Sequence, residues 1–238
     1  MKKFTRNIVM VAVSMIFAAL TMAADSGGNS VYIDQTNADN SSISITQTGS
    51  DNKVGDRTSL LNPSFKIDGN AMFLTIIQTG MNNSIIGNFI GGDSTANITQ
   101  LGNGNSLDIN QGNFGTSSGL LNLTYTGDNN THNLNMGTTG NAGNYTFSLN
   151  ATGSSNIITN TINSKYTFND VTITGNSNTL TTTQIGANGT ATVAGHYFKS
   201  SIIGSNNTAS ITQDGTTRPN QVTLNVTGSG TSTTIVQH

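Results

Sequence analysis

The chain has 238 residues, 124 of them Asn, Thr, Ser or Gly, while only 8% are charged and Glu, Trp and Cys are absent. So little charge excludes a charge-rich disordered tail, and so many mediocre or poor helix formers exclude an ordinary helical domain. The lack of Cys excludes a disulfide framework and a thiolate metal site, which leaves a low-complexity Asn/Gly segment or an all-β repeat protein held by stacked polar ladders.

At the N-terminus, Lys2, Lys3 and Arg6 precede an apolar run from Ile8 to Leu20, and Ala23-Ala24 follows. A basic start, an apolar stretch of this length and a small-x-small site at Thr21-Met22-Ala23 predict a secretory signal over 1–23, cleaved after Ala23. The run falls short of the ~20 residues that cross a bilayer, so stable membrane insertion is not expected. Residues 24–29 follow as a short unstructured lead. Beyond the signal, 6 Lys and Arg face 11 Asp, a formal charge of −5. The cations (Lys53, Arg57, Lys66, Lys165, Lys199, Arg218) are scattered, unlike the basic footprint that nucleic acid requires.

From there on the chain repeats. Gly-x-x-Asn recurs at Gly49/Asn52, Gly80/Asn83, Gly102/Asn105, Gly127/Asn130, Gly153/Asn156, Gly175/Asn178 and Gly204/Asn207, at spacings of 31, 22, 25, 26, 22 and 29. Gly and Asn tolerate the positive φ that a tight reversal between strands requires. Before each Gly, positions −6, −4 and −2 form one strand face: Ile43, Ile45, Gln47; Leu74, Ile76, Gln78; Ala96, Ile98, Gln100; Leu121, Leu123, Tyr125; Phe147, Leu149, Ala151. Ser, Thr and Asn fill most positions between, and this period-two alternation marks a half-buried strand. After the turn a second strand follows as Asn-[ST]-Φ-x-Φ-x-Gln at 105–111, 29–35 and 207–213, and at 178–184 with Thr182 at its second apolar place.

Each repeat therefore reads strand, turn, strand, turn, and the expected fold is an all-β, two-sheeted β-solenoid over 30–238 with repeats of about 22–26 residues. A single rung cannot bury its apolar face, whereas stacked rungs can. An inward amide without a partner costs roughly 1–3 kcal/mol, but in a stack each amide pairs with its counterpart above and below. The expected ladder consists of Gln35, Gln47, Gln78, Gln100, Gln111, Gln184 and Gln213, with Asn52, Asn83, Asn105, Asn130, Asn156, Asn178 and Asn207. Residues 53–70, 113–120, 163–170 and 195–201 carry extra length and most of the Lys, Arg and Pro, and are expected as loops bulging from the solenoid.

Catalytic chemistry finds little footing. His132, His196 and His238 are far apart and lack ligand spacing; His132, at an apolar strand position, is expected as a packed or stacked ring. Asp51, Asp128 and Asp214 adjoin turns, and Asp34 and Asp108 sit on alternate strand positions, where a charge keeps stacking in check. Gly91-Gly92-Asp93 is a lone fragment of a calcium β-roll, which needs tandem copies. Thr181-Thr182-Thr183 would suit a flat ice-binding face, but Thr is also a plain strand former. No enzyme activity, cofactor or metal is expected.

Ser94, Gln100, Gly102, Asn105 and Gln111 match the curlin repeat, Ser-x5-Gln-x-Gly-x-x-Asn-x-Ala-x3-Gln, with Leu107 at its Ala. Ser41, Gln47, Gly49 and Asn52 match its first half; Gln78/Gly80/Asn83 lacks the leading Ser, and Tyr125, Ala151 and Ile173 take the Gln position further on. The chain thus resembles a divergent member of the curlin family in rhythm over 29–238, with all fixed positions matched only at 94–111. That resemblance implies a secreted subunit of an extracellular amyloid fibre at the cell surface, supporting adhesion and biofilm. It also implies identical subunits, a nucleating minor subunit and an outer-membrane secretion pore as partners.

The ends of the solenoid point the same way. Val31–Gln35, and Val222–Val226 or Thr234–Gln237, hold neither Pro nor Lys, the residues that blunt exposed edges. The alternative is a β-solenoid adhesin, cellular or viral, that binds glycan or another surface without polymerising.

Overall fold

The computed structural model describes residues 28–36, 40–55, 65–69, 71–90, 94–111, 119–136, 145–163, 166–186, 195–215 and 218–238. The expected signal over 1–23, its cleavage at Ala23, and most of the 24–29 lead lie outside them. Among the described residues every regular element is a strand, so the all-β, two-sheeted β-solenoid expected from the repeat is the fold.

The chain winds between two sheets, here called A and B. The first coil has β1 (Ser30–Val31) and β2 (Ile33–Thr36) in sheet A and β3 (Ser42–Thr48) in sheet B. The second has β4 (Lys53–Val54) and β5 (Phe65–Asp68), then β6 (Phe73–Thr79). The third pairs β7 (Ser84–Ile90) with β8 (Ser94–Leu101), and the fourth β9 (Ser106–Gln111) with β10 (Gly119–Leu121) and β11 (Tyr125–Thr126). Next come β12 (Thr131–Met136) with β13 (Tyr145–Thr152), and β14 (Ile157–Asn163) with β15 (Phe168–Thr174). Then follow β16 (Thr179–Gly186) with β17 (Tyr197–Ile203), β18 (Thr208–Gly215) with β19 (Gln221–Thr227), and a last half coil, β20 (Ser232–Gln237), in sheet A.

Every strand pairs in parallel with its equivalent one coil on, so like positions stack: Ile45 on Ile76 on Ile98, Gln47 on Gln78 on Gln100. The period-two pattern decides which side chains face inward, as in β19, where Val222, Leu224 and Val226 are buried and the residues between are exposed. The two inner faces share one core of Ile, Leu, Val and Phe that includes Ile76, Leu107, Leu134 and Phe198. A core only two side chains thick needs few apolar residues per strand, which is how a third of the chain suffices.

The corner from sheet B to sheet A is four residues long in every coil, from Gly49–Asn52 to Gly228–Thr231. The other corner absorbs variation, from three residues between β7 and β8 to ten between β16 and β17. All four stretches expected as bulging loops are instead partly strand, 113–120 only at its end, where β10 begins. Within 53–70 lie β4 and β5, and 163–170 and 195–201 run into β15 and β17. Their aromatic residues drive this: Phe65 and Phe198 are fully buried, and Phe168 stacks on Tyr197 at 4.9 Å and 9°. Charge in these strands is carried on the outer face, where Lys199 meets Asp170 of the adjacent rung at 3.2 Å.

Candidate functional site: amide ladders ending at open sheet edges

Each four-residue corner places its Asn at the start of a sheet-A strand, side chain inward. Asn29, Asn52, Asn83, Asn105, Asn130, Asn156, Asn178 and Asn207 form one column, all buried. From Asn52 to Asn207, the backbone N–H of each donates to the Oδ1 of the Asn one coil earlier, at 3.0–3.1 Å. Each Nδ2 donates to the carbonyl of the corner glycine one coil later, at 2.8–2.9 Å, from Asn29 to Gly49 through Asn207 to Gly228. Asn can do this because one short side chain carries both acceptor and donor. The column ends at Thr231, whose N–H donates to Asn207 Oδ1 at 3.0 Å.

The corner glycines lie at positive φ, 102° at Gly127 for instance. A Cβ on Gly127 would sit 2.4 Å from the Gly153 carbonyl oxygen, so the residue must be Gly for both conformation and stacking. Two positions past the glycine the chain turns left-handed again, at Asp51, Asn82, Asn129, Ser155, Ser177 and Asn206. One position past it, a second ladder runs the opposite way: Asn103 N–H donates to Asp128 Oδ1 (2.7 Å), and Ser154 N–H to Asn176 Oδ1 (2.8 Å). Sequence reasoning named neither this outer ladder nor the eighth corner, Gly228 to Thr231, where Thr replaces Asn. The Ser, Asn or Asp that follows every corner glycine except Gly80, where Met81 stands, is the signal that marks the outer ladder.

The glutamines form two short ladders. In sheet B, Gln47 Nε2 donates to Gln78 Oε1, and Gln78 Nε2 to Gln100 Oε1, both at 2.8 Å. In sheet A, Gln184 Nε2 donates to Gln213 Oε1 at 2.8 Å, and Gln213 Nε2 to Gln237 Oε1 at 3.4 Å. Gln237 was not among the expected members. Two expected members stand apart: Gln35 is exposed and registers with Ile67, and Gln111 registers between Phe89 and Met136. The repeat offset is right at both, but their neighbours carry no amide.

A third polar chain crosses the middle of the core. Tyr125 Oη donates to His132 Nδ1, His132 Nε2 donates to Asn160 Oδ1 at 2.6 Å, and Asn160 Nδ2 donates to Thr182 Oγ1 at 2.5 Å. His132 stacks on Phe147 at 5.7 Å and is fully buried, as expected for a packed ring. Burial drives its pKa down to about 4, against a smaller upward pull from Asn160, and burial pushes the Tyr125 phenol up. His196 accepts the Asn220 N–H on Nδ1 (3.1 Å) and donates from Nε2 to the Ile185 carbonyl (3.0 Å). His238 is exposed. Among the described residues no three His, Cys, Asp or Glu group as a metal site. Partial burial raises the Asp108 pKa, and its Oδ2 accepts from Asn133 Nδ2 at 3.1 Å on the outer face.

The Asn column runs the length of the solenoid, and each glutamine ladder reaches one of its ends. Sheet A ends at β1 and β2 on one side and β20 on the other; sheet B ends at β3 and β19. Val222–Val226 and Thr234–Gln237, read from sequence as alternatives, are both edges, one in each sheet. At these ends the parallel edge strands present backbone N–H and C=O groups on their outer side, and the Asn column stops at Asn29 at one end and at Thr231 at the other. No family model, no curated protein and no solved structure matches the chain.

Proposed function

We propose that this protein is the secreted structural subunit of an extracellular curli-like amyloid fibre, built by end-to-end stacking of its rungs and serving surface adhesion and biofilm. The observation that carries the reading is the state of the two ends. Both sheets stop at strand edges without Pro or Lys in Val31–Gln35, Ser42–Thr48, Val222–Val226 or Thr234–Gln237, where proteins that stay monomeric install blunting devices. The low charge supports it, because rungs ~4.8 Å apart cannot stack like charges. The curlin-like spacing of Ser94, Gln100, Gly102, Asn105 and Gln111 supplies the family context. From it come the partners: identical subunits, a nucleating minor subunit and an outer-membrane secretion pore.

The test is seeded growth. Purified 24–238, freshly monomeric at neutral pH, should be consumed at a rate proportional to the number of fibre ends added. Monomer that stays in solution for days, with or without seeds, contradicts the proposal.

A further inference from the structure

Among the described residues sheet A has nine strand levels and sheet B eight, β20 being the ninth in sheet A. The levels alternate along the axis: Gln47 Nε2, on the first level of sheet B, donates to Ser30 O on the first level of sheet A (3.2 Å) and to Asn52 O on the second (3.0 Å). The described strands, from β1 to β20, therefore make an odd number of levels, with sheet A at both ends. The inner residues of β20 (Thr233, Ile235, Gln237) are only partly buried, since no sheet-B strand lies across from them.

An incoming copy that stacks without turning places its β1 and β2 on β20, which sets its β3 one whole level above β19. A strand-wide gap then remains beside β20, and the backbone groups of β19 stay unpaired in a closed junction, which is unfavourable. A copy turned half a turn leaves no gap. Its β1 and β2 occupy the level above β19, and its β3 sits on β20. Strand direction survives, because the two sheets run in opposite senses around the coil and the half turn exchanges them.

Resting on the fibre reading above, we infer that successive subunits are related by a half turn about the fibre axis. The rise is eight and a half coils, about 41 Å at 4.8 Å per coil. The side chains at the ends fit this relation. The glutamine ladder that finishes the chain lies in sheet A (Gln184, Gln213, Gln237), and the one that opens it lies in sheet B (Gln47, Gln78, Gln100). Only the half turn sets Gln47 on Gln237. It joins the two threes into a run of six whose Nε2 groups all donate in one direction. The same register sets Ile45 on Ile235, and Val31 and Ile33 on Val222 and Leu224. The unturned copy offers Gln237 only Gln35, whose next neighbour is Ile67, and leaves Gln47 facing no strand.

Because the chain has no Cys, introduced pairs report the contact cleanly. Thr46 and Val236, outward beside Gln47 and Gln237, meet on adjacent strands only after a half turn, within the separation a disulfide spans. Asp34 and Val236 meet only in the unturned stack. Fibres of Thr46→Cys/Val236→Cys and of Asp34→Cys/Val236→Cys are grown reduced, oxidised, and run on a non-reducing gel. The first should give a ladder of covalent multimers and the second none. A ladder from the second, or from neither in fibres that do form, overturns the half turn while leaving the fibre reading intact. Failure of the unaltered chain to form fibres overturns both.

Discussion

Asn130 Oδ1 accepts two hydrogen bonds from a single residue, the backbone N–H (3.1 Å) and the Nδ2 (2.9 Å) of Asn156 one coil later. Asn130 in turn donates its own pair to Asn105 and its Nδ2 to the Gly153 carbonyl at 2.8 Å. Corner and strand are tied together by one side chain. Asn130→Ala strands at least two buried polar partners, each worth roughly 1–3 kcal/mol. We expect a loss of roughly 3–5 kcal/mol in urea unfolding of the monomer. Asn29→Ala, at the open end of the column, should cost well under half as much.

Two glycines of the same conformation separate strain from stacking. A methyl carbon added to Gly127 (φ 102°) would lie 2.4 Å from the Gly153 oxygen, whereas one added to Gly228 (φ 126°) would meet nothing within 4 Å. Gly228→Ala should cost only the backbone term, of order 1–3 kcal/mol. Gly127→Ala adds a clash with main chain that no side-chain rotation relieves, and should fail to give a cooperative transition by circular dichroism.

Protonation of His132 sets an acid limit. Its folded pKa, about 4, lies below the ordinary value of 6.5 because the buried ring excludes the charged form. The unfolded chain therefore takes up the proton first. Stability is whole above pH 6.5 and falls between there and about 4 as pH drops. By linkage the loss approaches about 3 kcal/mol. Chemical denaturation across this range should show it, and His132→Gln should flatten that segment of the curve even though its own stability is lower. An unchanged slope in the variant contradicts the assignment.

The glutamine ladder is open to a kinetic test. Gln47 and Gln100 flank Gln78 in a run bonded at 2.8 Å. Replacing Gln47 and Gln100 together by Ala should lengthen the lag of fibre formation several-fold in a thioflavin assay. An unchanged lag would mean that this column takes no part in stacking.

The repeat made the fold legible because its constraints are local. A corner that must turn left-handed twice and stack on itself admits Gly at its head, and the Asn three places on must both donate and accept. Such requirements leave residues at fixed offsets. Side-chain pairing between coils leaves no such trace. In sequence Asn160 looks like any strand polar residue and Thr182 like a lone exception at an apolar place, yet they continue the chain from Tyr125 and His132 because four successive coils bring them together. Gln35 and Gln111 mislead for the converse reason: each has the right offset, but its neighbours one coil away are Ile67, or Phe89 and Met136. Phe65 and Phe198 draw into strands stretches whose Lys and Asp look like loop. Their charges pair or lie on the outer face, as Lys66 and Asp68 do at 3.4 Å.

A fibre whose building block is the folded solenoid itself extends rung on rung at the open edges. X-ray diffraction from aligned fibres of 24–238 tests this most directly. Such fibres should give a sharp meridional reflection near 4.8 Å from the continued rungs and an equatorial one near 10 Å from the paired sheets. Fibres without the meridional reflection, or a chain that remains soluble under every growth condition, would contradict it.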